Sequence, residues 1–501
     1  MQKEAIKKYY IQLLLYAFIN ASFALGIWGI VQTGSSIISL IGGSVLCIFY
    51  CLYFISLNYF KKFYNFLFNM LFMSFVLTMT YRRAIGINAV GWLNFENVLL
   101  LIFLIQLLIS DKYRKIMRKD IIVKIWVFFV FVFSFVSIFN GNNLWNILAV
   151  AFIYLRALPL YVVIAYHDYE LDQRDLSFFI IINAAVIPLE IFTGFSVDDI
   201  GGLYGIYGCT PLSIFIVFFF GLLVGAYVSG KIGVFKFLVG NVFFYGLCIL
   251  AEIKIAVFLC PVLEFILVLI QIRKKDKLRK IINKFVTAAV VPVTFLVAYS
   301  LMLAFNPKWI NRINRAGGAL NYFMYYSRQA KVLTQFSKLE VHEYLFENLL
   351  NGIIGKIFGN GIGSAMPSEF CQFELRDWNL KRNFEYFSFY RTKFYVEYSY
   401  RLGYHATASG VTLIETGILG LFMFVMPFFV ILYRSWKLIC SENENLCMMG
   451  SGGLMFIIYL FPMFVYYNII VRIQIITTVM IVFGLITRYY RKELSKNKKE
   501  L

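Results

Sequence analysis

The feature that most limits this chain is a series of apolar runs, each about 20 residues long, ended by lysine and arginine clusters. A helix of that length spans the hydrocarbon of a bilayer, where every backbone polar group must be satisfied within the protein. With 60% hydrophobic and 15% charged residues over 501 positions, no single soluble core could absorb so much apolar surface. The expectation is an all-α polytopic membrane protein with about 14 transmembrane helices and one large external loop capping the bundle. The candidate spans run 9–31, 37–57, 63–80, 93–110, 121–139, 144–166, 176–194, 206–228, 234–252, 254–272, 285–305, 407–433, 450–468 and 471–488.

A formal charge of +20 would suggest nucleic acid in a soluble protein. Here much of it lies in short loops, where positive-inside bias explains it, and no nucleic-acid partner is expected. Lys3, Lys7 and Lys8 place the N-terminus in the cytoplasm, and MQKEAIKK leads directly into a retained first span. Even-numbered loops carry Lys61-Lys62, the stretch from Lys112 to Lys124, Lys231 with Lys236, Arg273 to Lys284, and Arg434 with Lys437. The tail RYYRKELSKNKK is basic as well, whereas odd-numbered loops such as QTGSS and NGNN are poor in charge. Both termini therefore fall inside and the long loop outside, with Arg82-Arg83 as the exception. The eight cysteines lack metal-ligand spacing and read as small apolar side chains, so neither metal nor cofactor is expected.

Three regions follow: an N-terminal bundle of about 11 helices over 1–305, the long loop over 306–404, and about three helices with a basic tail over 405–501. The loop is rich in apolar residues and is no linker. From Ser327 to about Gly355 it reads as an amphipathic helix, with Arg328, Lys331, Gln335 and Lys338 on one face and Val332, Phe336 and Leu339 on another. Such a helix suits the membrane interface, roofing the bundle.

A few residues stand out chemically. Arg156 sits near the middle of the sixth span, where a cation needs a polar cavity or a partner; it is either functional or one half of a buried pair that orients helices. Glu252 and Lys254 interrupt a 39-residue apolar run from Val234 to Ile272, which holds two spans only if the chain turns at about AEIK. Lys254 either points into a site or snorkels at the turn. Gly359, Gly361 and Gly363 form no dinucleotide fingerprint, since no strand precedes them, and alone they read as a loop allowing close backbone approach. His405 stands where the loop re-enters the membrane, as a proton acceptor for a sugar hydroxyl or as a helix-start residue. Glu415, about 15 Å further along that helix, reads as a buried structural acid. Asp198-Asp199 reads as a helix cap before a cation site.

Taken together, Ser327-Arg328, then Gly359/Gly361/Gly363, then His405 followed by Glu415, Gly417 and Gly420 resemble the bacterial O-antigen polymerases and the related O-antigen ligases. The stretch GLYGIYGCTPLSIF resembles that family's glycine-rich start to a mid-chain span, and Lys254 stands where many members have a Ser-Arg or a lysine. The likeness covers about Gly201 to Leu421 and rests on order and spacing. Two departures are plain: no arginine precedes the glycine-rich span on the outer side, and alanine follows His405.

The resemblance implies metal-independent glycosyl transfer at the outer face of the bacterial cytoplasmic (inner) membrane, with the long loop in the periplasm. The donor would be an oligosaccharide on undecaprenyl diphosphate. The acceptor would be another lipid-linked repeat unit in a polymerase, or the lipopolysaccharide core in a ligase. Membrane lipids and a chain-length regulator are the further partners expected. In this reading Arg156, Lys254 and Arg328 stabilise the departing diphosphate, His405 activates the acceptor hydroxyl, and Gly359, Gly361, Gly363, Glu415 and Gly417 are structural. Polymerase is preferred to ligase on the lysine motif and the size of the loop. A lipid-linked oligosaccharide flippase or transporter is the rival from another class, and it needs no large external loop.

Overall fold

The structure is a computed structural model describing residues 108–142, 144–166, 209–251, 253–272, 345–350, 352–365, 407–467, 469–470 and 473–500, with isolated positions such as His342 and Glu343. The expected spans before residue 108, and those at 176–194 and 285–305, lie largely or wholly outside these residues, as does most of the long loop. The chain divides into two compact units. One comprises Met1–Ile102, His167–Ile216 and Leu250–Lys254, and of it the structure describes mainly the opening of one helix and the turn at Ala251. The other comprises Phe103–Tyr166, Val217–Ile249 and Ile255–Leu501, and every side-chain contact given below lies within it.

Its elements are all helical, and no strand occurs among the described residues. Helix α1 (Asp111–Met117) is parted from α2 (Ile121–Phe139) by Asp120. The Asp120 carboxylate accepts from the N–H groups of Ile122 (2.8 Å) and Val123 (3.1 Å), which starts α2. After the turn at Asn140–Asn142 come α3 (Leu144–Leu155) and α4 (Leu158–Tyr166), broken apart at Arg156 and Ala157. Pro159 explains the break, because it has no N–H for the Leu155 carbonyl. Helix α5 (Cys209–Val228) follows, and the 39-residue apolar run then divides into α6 (Val234–Leu250) and α7 (Lys254–Ile272).

A π-helical turn (Leu345–Leu349) and α8 (Gly352–Phe358) lead into the glycine loop, with which the described part of the long loop ends. The sequence predicts one helix from Ser327 to about Gly355; the structure corrects its end. The chain bends at Leu350 and a new helix starts at Gly352, whose φ of 67° suits glycine. Leu350 turns inward while Ile353 and Ile354 stay exposed. Helices α9 (Ala408–Ile439), α10 (Glu444–Tyr466) and α11 (Ile473–Glu500) complete the unit.

Among the described residues, four helical stretches are long and apolar enough to cross a membrane: Ile121–Phe139, Asn146–Tyr166, Ala408–Ile439 and Glu444–Tyr466. Helices α5, α6 and α7 add shorter apolar ones. Outward faces are apolar too, with Phe128, Phe131, Phe135 and Phe139 exposed on α2 and Phe235 and Phe243 on α6. Surfaces of that kind belong in lipid, and the protein is a membrane-embedded helical one. Inside, Phe424 of α9 packs with Trp126 (5.1 Å between centroids), Phe129, Tyr154, Phe428 and Phe464, joining α2, α3 and α10. The Trp126 indole donates to the Tyr154 carbonyl (2.8 Å) beside the break after α3. Gly221 and Gly225 bring α5 onto α10 so closely that a Cβ on either would meet the Cα of Gly452 or Met448 at 2.7 Å.

Segments that loop charge assigns to one side meet one another. At the basic end, Asp120 accepts from Tyr161 (2.8 Å) and Tyr166, and Arg434 donates to Tyr161 (3.2 Å) and Thr487 (2.6 Å). Arg491 donates to the Ala165 carbonyl (2.8 Å), and Lys231 donates to Asn445 (2.6 Å). At the charge-poor end, the NGNN turn, the glycine loop, the start of α9 and Tyr467 come together, Ala408 donating to the Tyr467 carbonyl (3.0 Å).

Candidate functional site

Gly417 organises the charge-poor end. Its φ of 63° and ψ of −167° interrupt α9 after Thr416, in a region of backbone space that is essentially glycine's alone. A break of this kind leaves carbonyls of the preceding turn without their helical donors. The glycine loop supplies them. Asn360 N–H donates to the Ile414 carbonyl (2.9 Å) and Gly361 N–H to the Glu415 carbonyl (2.7 Å).

The loop then wraps the Glu415 side chain. Its Oε1 accepts from the N–H groups of Gly363 (3.0 Å) and Ala365 (3.1 Å), so two alternate backbone amides form a nest around a buried carboxylate. Glycine is needed because the approach is so close. A Cβ on Gly359 would lie 2.5 Å from the Glu415 carbonyl carbon, one on Gly363 2.8 Å from the Asn146 carbonyl oxygen, and one on Gly361 would overlap the backbone of Ser137. Tyr154 lies beside Glu415 and Thr412.

The end of α2 closes the far side. Ser137 donates to the Ile362 carbonyl (2.7 Å), Asn142 donates to Ser137 Oγ (2.5 Å) and to the Asn360 carbonyl (2.8 Å), and Ile362 N–H donates to the Phe133 carbonyl (3.3 Å). Sequence reasoning missed Ser137 and Asn142. The available signal was a serine near the end of an otherwise apolar span and an asparagine in the charge-poor turn that follows it.

Of the residues singled out from the sequence, Gly359, Gly361, Gly363, Glu415 and Gly417 thus meet in one knot. Arg156 lies in the same compact unit, at the break between α3 and α4, and is 1% exposed. Lys254 opens α7, but its side chain lies outside the described residues. Arg328 and His405 lie outside them entirely, as do Asp198-Asp199.

Two further polar groups escaped the sequence reading. His342 Nε2 lies 2.6 Å from Ser409 Oγ, beside the Thr407 hydroxyl that caps α9. Glu264 on α7 is fully buried between α6 and α7, accepting from Asn241 (2.7 Å) and Tyr245 (3.2 Å). Glu264 stands alone in an apolar run, and His342 is one polar residue among several in KLEVHEYLFE, so neither carries a mark of its partner. No protein-family model matches the chain, and no curated protein and no solved structure matches it either.

Proposed function

We propose that the chain is a surface-polysaccharide polymerase of the O-antigen type, which joins oligosaccharide repeat units carried on undecaprenyl diphosphate by metal-independent glycosyl transfer. In this reading about 14 spans sit in a bacterial cytoplasmic membrane, both termini are cytoplasmic, and the long loop is periplasmic. One observation carries it. The glycine triplet and the Glu415/Gly417 pair, which define the resemblance only by order and spacing, fit together as one knot where the long loop returns to the bundle. That is where a lipid-linked diphosphate, held at headgroup level, would present its charge.

Diphosphate departs with its negative charge growing, so the site needs cations at that point. Arg328 would grip it with a bidentate fork, and Lys254 and Arg156 would add positive charge. The acceptor hydroxyl needs a base at the same junction, for which His405 is the candidate from sequence. Lipids and a chain-length regulator would be the further partners.

The test is reconstitution. Purified protein in liposomes, given one lipid-linked repeat unit, is expected to yield a ladder of lipid-linked dimers and longer chains. Arg328→Ala should lower the rate by about a hundredfold or more, and Arg328→Lys should recover little. Transfer only to lipid A–core would make the protein a ligase. Movement of the lipid between leaflets with no new glycosidic bond would end the enzyme reading.

A further inference from the structure

We propose that His342, held against Ser409 at the start of α9, takes the proton from the acceptor's hydroxyl; this rests on the glycosyl-transfer reading above and moves the base from His405 to another residue. His342 belongs to the long loop and Ser409 to the helix that follows it, 67 positions apart, yet His342 Nε2 and Ser409 Oγ are 2.6 Å apart. Thr407 Oγ1 stands 3.5 Å from the same nitrogen and 3.3 Å from Ser409 Oγ, while accepting from Gly410 N–H (3.1 Å) as the cap of α9. The ring nitrogen therefore faces two hydroxyls on a fixed helix start. Six residues on is Glu415, so the pair stands about 9 Å along the helix from the glycine knot.

Imidazole is the side chain that accepts a proton readily near neutral pH, and a base must lie within hydrogen-bond reach of the proton it removes. Exposure decides which hydroxyl it serves. Ser409 is 4% exposed and Thr407 is buried, whereas His342 is only half-buried. A sugar hydroxyl arriving from outside reaches the imidazole before it reaches Ser409. Ser409 can then turn its O–H to Thr407, giving up Nε2 to the substrate.

The step balances as a single displacement. The acceptor O–H bond breaks and its proton goes to Nε2, while the oxygen's electron pair forms the new bond to the donor's anomeric carbon. The bond from that carbon to the diphosphate breaks, its pair leaving on the diphosphate oxygen. The imidazolium returns its proton to water.

The experiment uses the full chain in liposomes with the lipid-linked repeat unit as donor and acceptor. His342→Gln should cut turnover by about 10²–10⁴-fold and leave binding of the lipid-linked unit unchanged. The wild-type rate should fall on the acid side of its pH profile, and that acid limb should vanish in His342→Gln. Added imidazole should restore part of the rate in His342→Ala. On unmutated protein, carbethoxylation of His342 should track the loss of activity and reverse with hydroxylamine, which keeps the test open should a variant fail to fold. Full turnover in His342→Gln, an acid limb that disappears only in His405→Ala, or a glycosyl adduct on Ser409 overturns the assignment of His342 while polymer formation by the wild type leaves the function standing. If the wild type never joins two units, both fall.

Discussion

Polar knots close opposite ends of α2, and they are built in contrary ways. At its start, Asp120 is tied by the side chains of Tyr161 and Tyr166, with Arg434 and Arg491 bracing the tyrosines. At its end, Ser137 and Asn142 hold a loop whose backbone amides receive the Glu415 carboxylate. Side-chain knots have slack: each group has rotamers and alternative partners. A knot of backbone on backbone has none, because peptide groups sit where even a methyl would collide. The first arrangement should tolerate change, and the second should not.

The sharpest break is Gly417→Ala. It puts a Cβ into the Ile357 carbonyl oxygen and demands a backbone conformation that alanine scarcely adopts. Strain and overpacking each cost about 1–3 kcal/mol, so little folded protein should survive purification in detergent. A normal melting profile for this variant would show that the kink is dispensable.

Glu415 separates hydrogen bonding from charge. Glu415→Ala strands two buried N–H groups and should cost about 2–4 kcal/mol. Glu415→Gln keeps an oxygen acceptor in place and should cost about 1 kcal/mol, read as a far smaller drop in thermal midpoint. Equal losses in the two would mean that the amide nest requires a full negative charge.

The smallest effect is expected at the other knot. Tyr166→Phe removes one of two tyrosine donors to Asp120 and should cost about 0.5–1.5 kcal/mol, with Asp120→Asn similar because asparagine still caps α2. Either one matching Gly417→Ala in a thermal melt would erase the contrast.

Much of this was legible in residues. The interruption at AEIK marks the division of α6 from α7, and the glycine triplet with Glu415 and Gly417 stands out as a group. The break inside α9 was not read: 407–433 looks like one uniform span, because glycine is common in membrane helices and does not announce a positive φ. Nor could the partners of Phe424 be read. In a bilayer the inward and lipid-facing sides are both apolar, so the periodicity that marks a core face in water is absent. Ser137 with Ile362 and His342 with Ser409 were hidden by distance along the chain, since a lone polar residue carries no mark of its partner.

The tie between Ser137 and Ile362 also sets a timetable. They are 225 positions apart, and Asn142 is made 218 positions ahead of Asn360. At about 5–20 residues per second, the ribosome delivers Ile362 roughly 11–45 s after Ser137, and Glu415 later still. Throughout that interval the end of α2 lacks the partners it has in the finished protein. Its serine and asparagine must be held by water, lipid headgroups or the insertion machinery until the last third of the chain is threaded in.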